Sequence, residues 1–153
     1  MNLIEDLKSA HSEIASWRQH LHANPEIAYE EKDTSNFVAA KLESFGVEVH
    51  RGFGGTGLVG VIHGNQGDPT SGKAIGLRAD MDALPMSEET NLAYASKRPG
   101  RMHACGHDGH TAMLLAAARH FAQTRNFQGT IYCIFQPAEE GALHDDHACV
   151  ALR

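Results

Sequence analysis

Between Arg101 and His110 the chain reads R-M-H-A-C-G-H-D-G-H, so that His103, His107 and His110 share one glycine-punctuated stretch with Cys105 and Asp108. These are metal-binding side chains. Cys105 and His107 stand as C-x-H, an arrangement in which a thiolate and an imidazole from a tight turn face one cation, with Gly106 supplying the backbone freedom that brings them together. Downstream, Glu139 and Glu140 follow Gln136-Pro137-Ala138 after an apolar, β-branched run, which puts two carboxylates where a strand ends and a loop begins. Cysteine, histidine and paired glutamates are the parts needed to hold a divalent metal and to activate its water.

The elements that must position these residues can be read from periodicity. Ile4, Leu7, Ile14, Trp17 and Leu21 recur at helical spacing from Leu3 to His22, and Asn24-Pro25 closes that helix. His20 and His22 near its end are read as cations suited to the helix C-terminus rather than as ligands. Glu30 to Phe45 predicts a second helix with Gly46 as its stop. Val47 to His50 and Leu58 to His63 read as strands around the turn Arg51 to Gly57. That turn has the form G-x-G-x-x-G at Gly52, Gly54 and Gly57, but a strand follows it where a dinucleotide fingerprint needs a helix.

Lys73 to Leu77 predicts a third strand, ending at Arg78. Asp80 and Asp82 lie just beyond, where open α/β sheets keep their sites, although two aspartates in a turn also serve to satisfy backbone donors. The polar stretch Ser87 to Arg101 reads as a long loop over a site. A helix then begins at His107 or Asp108, and its apolar run Thr111 to Phe121 is expected to lie buried against the sheet with its N-terminus aimed at the metal stretch. Gly129 to Phe135 is the strongest strand pattern, with Cys133 as a small core residue. Helices followed by strands interleaved with a buried helix make an α/β layer fold.

Composition narrows the function classes. The chain has 153 residues, the size of one domain, with 42% hydrophobic and 21% charged residues. Its net charge is -6 and no basic cluster stands out, which argues against nucleic acid and anionic membrane as partners. The start, M-N-L-I-E-D-L-K, lacks the basic and apolar regions of a signal peptide, and no run approaches the roughly 18 apolar residues of a membrane span, so a cytoplasmic protein is expected. Cys105, Cys133 and Cys149 are odd in number and lack framework spacing, which fits a reducing compartment. The 11 histidines run from His11 to His147, and those near Cys105 carry the weight.

Leu77 to Met86 (L-R-A-D-M-D-A-L-P-M), Met102 to Leu115 (M-H-A-C-G-H-D-G-H-T-A-M-L-L) and Phe135 to Gly141 (F-Q-P-A-E-E-G) together resemble the M20 metallopeptidase family. More narrowly they resemble its amidohydrolase branch of hippurate hydrolases, N-acyl-amino-acid deacylases and auxin-conjugate hydrolases. Arg18 to Glu31 (R-Q-H-L-H-A-N-P-E-I-A-Y-E-E) extends the resemblance back to the first helix. The resemblance implies that Cys105, His107 and Glu140 are metal ligands, that Glu139 is the general base and that Asp82 is a supporting carboxylate. It implies a divalent ion (manganese, zinc, cobalt or nickel), with two ions in a complete enzyme. The reaction implied is cleavage of the amide bond of small N-acyl amino acids of the hippurate type, with a dipeptidase as the alternative substrate class; the oligomeric state stays open. Two adjacent glutamates can divide the roles of base and ligand only if the backbone turns between them.

The fold implied is a three-layer α/β/α zinc-peptidase-like catalytic domain, here incomplete and without the family's satellite domain. Residues 1–141 would be its N-terminal part and residues 142–153 a tail that does not align. His144, Asp145, Asp146 and His147 in that tail are read as solvated residues. The family's further histidine ligands have no counterpart in this sequence, so a chain of this length is expected to act as a non-catalytic or nearly inactive fragment with weakened metal binding.

Overall fold

The computed structural model describes residues 3–67 and 72–141. Two helices lead, α1 (Leu3–Ala23) and α2 (Lys32–Ser44), followed by β1 (Glu48–Phe53), β2 (Gly57–His63), β3 (Ala74–Asp80), α3 (His107–Thr124) and β4 (Thr130–Gln136). The four strands form one mixed sheet in the order β1-β2-β4-β3, in which β4 runs antiparallel to β2 and parallel to β3. This is the α/β architecture expected from the pattern of elements.

Two strands run further than their local sequence suggests. The break expected after His50 is a register slip within β1, with Arg51 opposite Leu58 and Phe53 opposite Gly57, and Gly52 takes the positive φ of 95° that the irregularity requires. Strand β3 does not stop at Arg78. Its parallel pairing continues through Ala79 opposite Phe135 and Asp80 opposite Gln136, so Asp80 is the last residue of the strand and only Asp82 lies beyond it. A neighbouring strand supplied the partners that an isolated apolar run does not reveal.

All the helices lie on one side of the sheet: α3 packs on β2, β3 and β4, α2 packs on β1 and β2, and α1 lies on α3. Between them and the sheet sits a core of Trp17, Val38, Leu42, Leu58, Ile62, Leu115, Cys133 and Phe135, each at most 3% exposed. Cys133 is the core residue its strand position predicts. On the opposite face Tyr132 is 39% exposed, and among the described residues no helix covers it. No helix is long and apolar enough to cross a membrane among the described residues.

Two ion-pair networks, one partly exposed and one buried, tie the helices to the long connection between β3 and α3. Glu26, ahead of α2, caps that helix from outside it by accepting the N–H groups of Asp33 (3.2 Å) and Thr34 (2.8 Å), and it also receives Arg98 Nη1 at 3.1 Å. Arg98 reaches Asp33 as well, at 2.6 Å, which pins the connection to the start of α2. The second network corrects the reading of His22. It is buried rather than a solvated cation at a helix end, with Nδ1 2.8 Å from Asp108 Oδ2 and Nε2 3.1 Å from Glu88 Oε1. Tertiary packing, not the macrodipole, decides its environment. His20 stays exposed and stacks on Phe37.

Candidate metal centre

The parallel pair β3 and β4 ends side by side, with the N–H of Met81 donating to the carbonyl of Gln136 at 2.9 Å, and both chains turn outward at this edge. Three segments meet there. Asp82 follows β3, Glu139 and Glu140 follow β4, and the N-terminus of α3 brings His107 as its first residue after Gly106, whose φ of 84° makes the sharp entry. Glycine is needed at 106 because a side chain would be strained at that φ.

His107 is 4% exposed and its two ring nitrogens have different tasks. Nδ1 lies 2.9 Å from the carbonyl oxygen of Asp82 and 3.2 Å from its carboxylate Oδ1, so Nδ1–H donates toward Asp82. Nε2 is thereby left to face the carboxylates, 3.8 Å from Glu139 Oε2, as the nitrogen a cation would claim in place of its proton. Holding one ring nitrogen so that the other presents its lone pair is how proteins orient an imidazole ligand. The hydrogen bond to Asp82, against the opposing effect of burial, raises the His107 pKa to about 9. Burial alone would raise the Asp82 carboxyl, but the His107 bond, the Glu140 N–H and the imidazolium charge together bring it below its ordinary value.

Asp82, 1% exposed, serves both sides of the site, since its Oδ2 accepts the N–H of Glu140 at 2.8 Å. Asp82 therefore holds the imidazole through its carbonyl, with its carboxylate alongside, and the glutamate turn through Oδ2. The sequence had placed Asp82 near the site without saying which histidine it meets; His107 is that histidine.

His107, Glu139 and Glu140 offer ligand atoms that all lie within 4.8 Å of one another. Cys105 is exposed and free, and its thiol donates to the Glu140 carboxylate. That bond, partial burial and the charges of Glu140, Glu139 and Asp82 push its pKa up to about 11. Cys105 thus adjoins the cluster through Glu140 without lying inside the 4.8 Å group. A second group, Asp80, His107 and His110, also lies within 4.8 Å. The Glu139 and Glu140 side is the better fit for a cation because it faces the ring nitrogen that Asp82 leaves free.

An imidazole, two carboxylates and a thiol, gathered from separate segments around one oriented ring nitrogen, are donors that suit a borderline divalent ion. The fit is chemical. Each donor must lose or lack a proton to bind, and His107 and Cys105, both held protonated by the neighbouring carboxylates, give theirs up in exchange for a metal.

The turn carrying the glutamates is strained. Ala138 has φ of 52°, a left-handed conformation that costs an ordinary residue about 1–2 kcal/mol. Its N–H donates to Glu31 Oε1 at 2.8 Å. Gly141 ends the turn against Ala28, where an added Cβ would come within 2.5 Å of the Ala28 Cβ. Sequence reasoning overlooked Glu26, Glu31, His22 and Glu88, because nothing in a chain of isolated acids and a helix-end histidine marks them as buried. His103, inside the motif, is 5% exposed, and burial lowers its pKa to about 4. His144, Asp145, Asp146, His147 and Cys149 lie outside the described residues.

Residues 76–148 match the model of Peptidase family M20/M25/M40. The chain is 50% identical over 141 residues to a hippurate hydrolase of Campylobacter jejuni, covering 92% of this chain and 36% of that relative. It is 46% identical over 140 residues to an N-acyl-L-amino acid amidohydrolase of Geobacillus stearothermophilus, covering 90% of this chain and again 36% of the relative. The fold is similar to that of the Bacillus subtilis YXEP protein, a dinuclear metal-binding peptidase of the M20 family, with a TM-score of 0.82, 40% identity and coverage of 89% of this chain and 38% of that one. The chain thus spans little more than a third of the length of the proteins it matches. Motif order, identity and fold agree in one resemblance, to Peptidase family M20/M25/M40.

Proposed function

We propose that this chain carries the metal-binding half of an amide-hydrolysing site acting on small N-acyl amino acids of the hippurate type. The observation that carries the reading is the orientation of His107, whose Nδ1 is held by Asp82 so that Nε2 faces Glu139 within a three-residue cluster. Relatives at 50% and 46% identity that hydrolyse hippurate and N-acyl-L-amino acids support the substrate class over free dipeptides. Residues 1–141 are read as the N-terminal part of the catalytic domain. Cys105 and Cys133 as free thiols suit a cytoplasmic setting.

In this reading Cys105, His107 and Glu140 hold a divalent ion, and Glu139 is the general base. Manganese, zinc, cobalt and nickel are all compatible with one thiolate among nitrogen and oxygen donors, and Asp80 with His110 offers further donors beside His107 for a second ion. A bound ion would polarise the scissile carbonyl and lower the pKa of water. Glu139, with its side chain 41% exposed, stands open to a substrate while Glu140 is turned toward Cys105. Its carboxylate takes the proton from the attacking water and returns it to the leaving amine. Asp82 keeps the His107 tautomer and the Glu140 backbone in register throughout.

The test is to load the purified chain with cobalt, zinc or manganese and to measure bound metal, then to compare hydrolysis of hippurate, N-acetyl amino acids and free dipeptides by a full-length protein that carries this chain's residues. Metal bound through Cys105 and His107, with N-acyl amino acids preferred over dipeptides, supports the reading. A chain that binds no divalent ion overturns it, and preference for dipeptides replaces the substrate class.

A further inference from the structure

Glu31 is fully buried, with 0% exposure, at the position just before α2. A carboxylate there would ordinarily cap the helix, but Glu31 makes no such bond and Glu26 caps α2 instead. Both Glu31 oxygens are committed elsewhere. Thr56 Oγ1–H donates to Oε2 at 2.7 Å, and the N–H of Ala138 donates to Oε1 at 2.8 Å. Burial raises the Glu31 pKa, despite these bonds, so holding the anion here is a cost to stability at neutral pH. Stability is not what this carboxylate supplies.

The glycine-rich turn before β2 has a task in the same arrangement. It delivers Thr56 to Glu31, and Gly57 lies so close to Pro137 that an added Cβ would be 2.8 Å from its Cδ. Thr56, Glu31 and Ala138 form a continuous line from the turn to the backbone just ahead of Glu139 and Glu140.

We propose that Glu31 is a positioning residue, whose buried carboxylate, braced by Thr56, holds Ala138 in the left-handed conformation that turns Glu139 and Glu140 together onto His107. Its catalytic meaning rests on the assignment of Glu139 as base and Glu140 as ligand. The backbone arrangement does not depend on that assignment. Without the acceptor, Ala138 relaxes toward ordinary φ, and the N–H of Glu140 leaves Asp82.

Amide hydrogen exchange on the metal-free chain reads this directly. Glu31→Ala is expected to speed exchange at both Ala138 and Glu140 by about tenfold, the scale of one lost hydrogen bond, while α3 and β4 amides keep their rates. Adding Ala138→Gly should restore slow exchange at Glu140 but not at position 138, because glycine takes the left-handed conformation without the acceptor. Thr56→Val, which leaves the carboxylate in place but unbraced, should give a smaller change of the same kind and serves if Glu31→Ala does not fold. Unchanged exchange at Glu140 in the folded variant, or a uniform loss of protection that Ala138→Gly does not rescue, overturns the proposal. A parallel cobalt titration separates the two readings. Wild-type chain without a thiolate-to-cobalt absorption band refutes the metal-site reading, whereas a wild-type band that is as strong and as tightly bound in Glu31→Ala refutes the positioning role.

Discussion

At the residue scale the adjacent glutamates differ in what surrounds them. Glu140 has its N–H on Asp82 and its carboxylate on the Cys105 thiol, whereas Glu139 meets only the edge of His107 and is open to solvent. At the matching position of a full-length relative, Glu139→Gln should therefore leave metal content near that of the wild type while lowering hippurate hydrolysis by about 100-fold or more, the usual scale of a lost general base. Glu140→Gln should lower metal content. Metal analysis of both variants beside their turnover decides the matter, and equal metal loss in the two would show the roles to be wrongly divided. Cys105→Ala should likewise lower occupancy, measured by equilibrium dialysis.

At the scale of elements, the long connection between β3 and α3 is held by single buried side chains rather than by secondary structure. Burial would raise the Glu88 carboxyl, but bonds from Thr90 Oγ1, the Ser96 N–H and His22 outweigh it and bring its pKa below the ordinary value of 4.5. A depressed carboxyl contributes stability that is present above its unfolded pKa and lost as pH falls through the folded one. Thermal melts should thus show wild type losing its advantage over Glu88→Gln as pH drops from about 4.5 downward, with a constant difference above that. A difference that grows with acid would contradict the assignment. Glu26 acts on α2 in a comparable way. Glu26→Ala removes its cap and leaves Arg98 with Asp33 alone, and urea denaturation should register a loss of about 2 kcal/mol.

For the molecule as a whole, the described residues place one layer of helices on the sheet, and stability rests on that packing. Leu115 is 0% exposed between α3 and the sheet, while Met113 on the same helix is 62% exposed. Leu115→Ala should cost about 2–5 kcal/mol in denaturant unfolding, and Met113→Ala should stay within about 0.5 kcal/mol of wild type. Similar losses for the two would mean that α3 does not pack as described. The same layer places the site. It holds α3 with its N-terminus over the ends of β3 and β4, so the core and the candidate metal centre share one helix.

Much of the site was legible from residue type and order alone. Cys105 and His107 around Gly106, the paired glutamates after an apolar strand, and Asp82 after another are local patterns, since donor chemistry and strand-to-loop transitions are written in neighbouring residues. The start of α3 at His107 and the burial of Cys133 were legible for the same reason. The extension of β3 to Asp80 was not, because pairing with β4 more than 50 residues away created it. Nor were the burial of His22, the capping of α2 by Glu26, or the Asp82 bond to His107, each of which joins segments distant in sequence. The Ala138 turn shows the division most plainly. Adjacent glutamates announce that the backbone must turn, but an alanine gives no local sign of a left-handed conformation. That conformation persists because Glu31, on another element, supplies the acceptor for its N–H, and a bond of that kind exists only once the chain has folded.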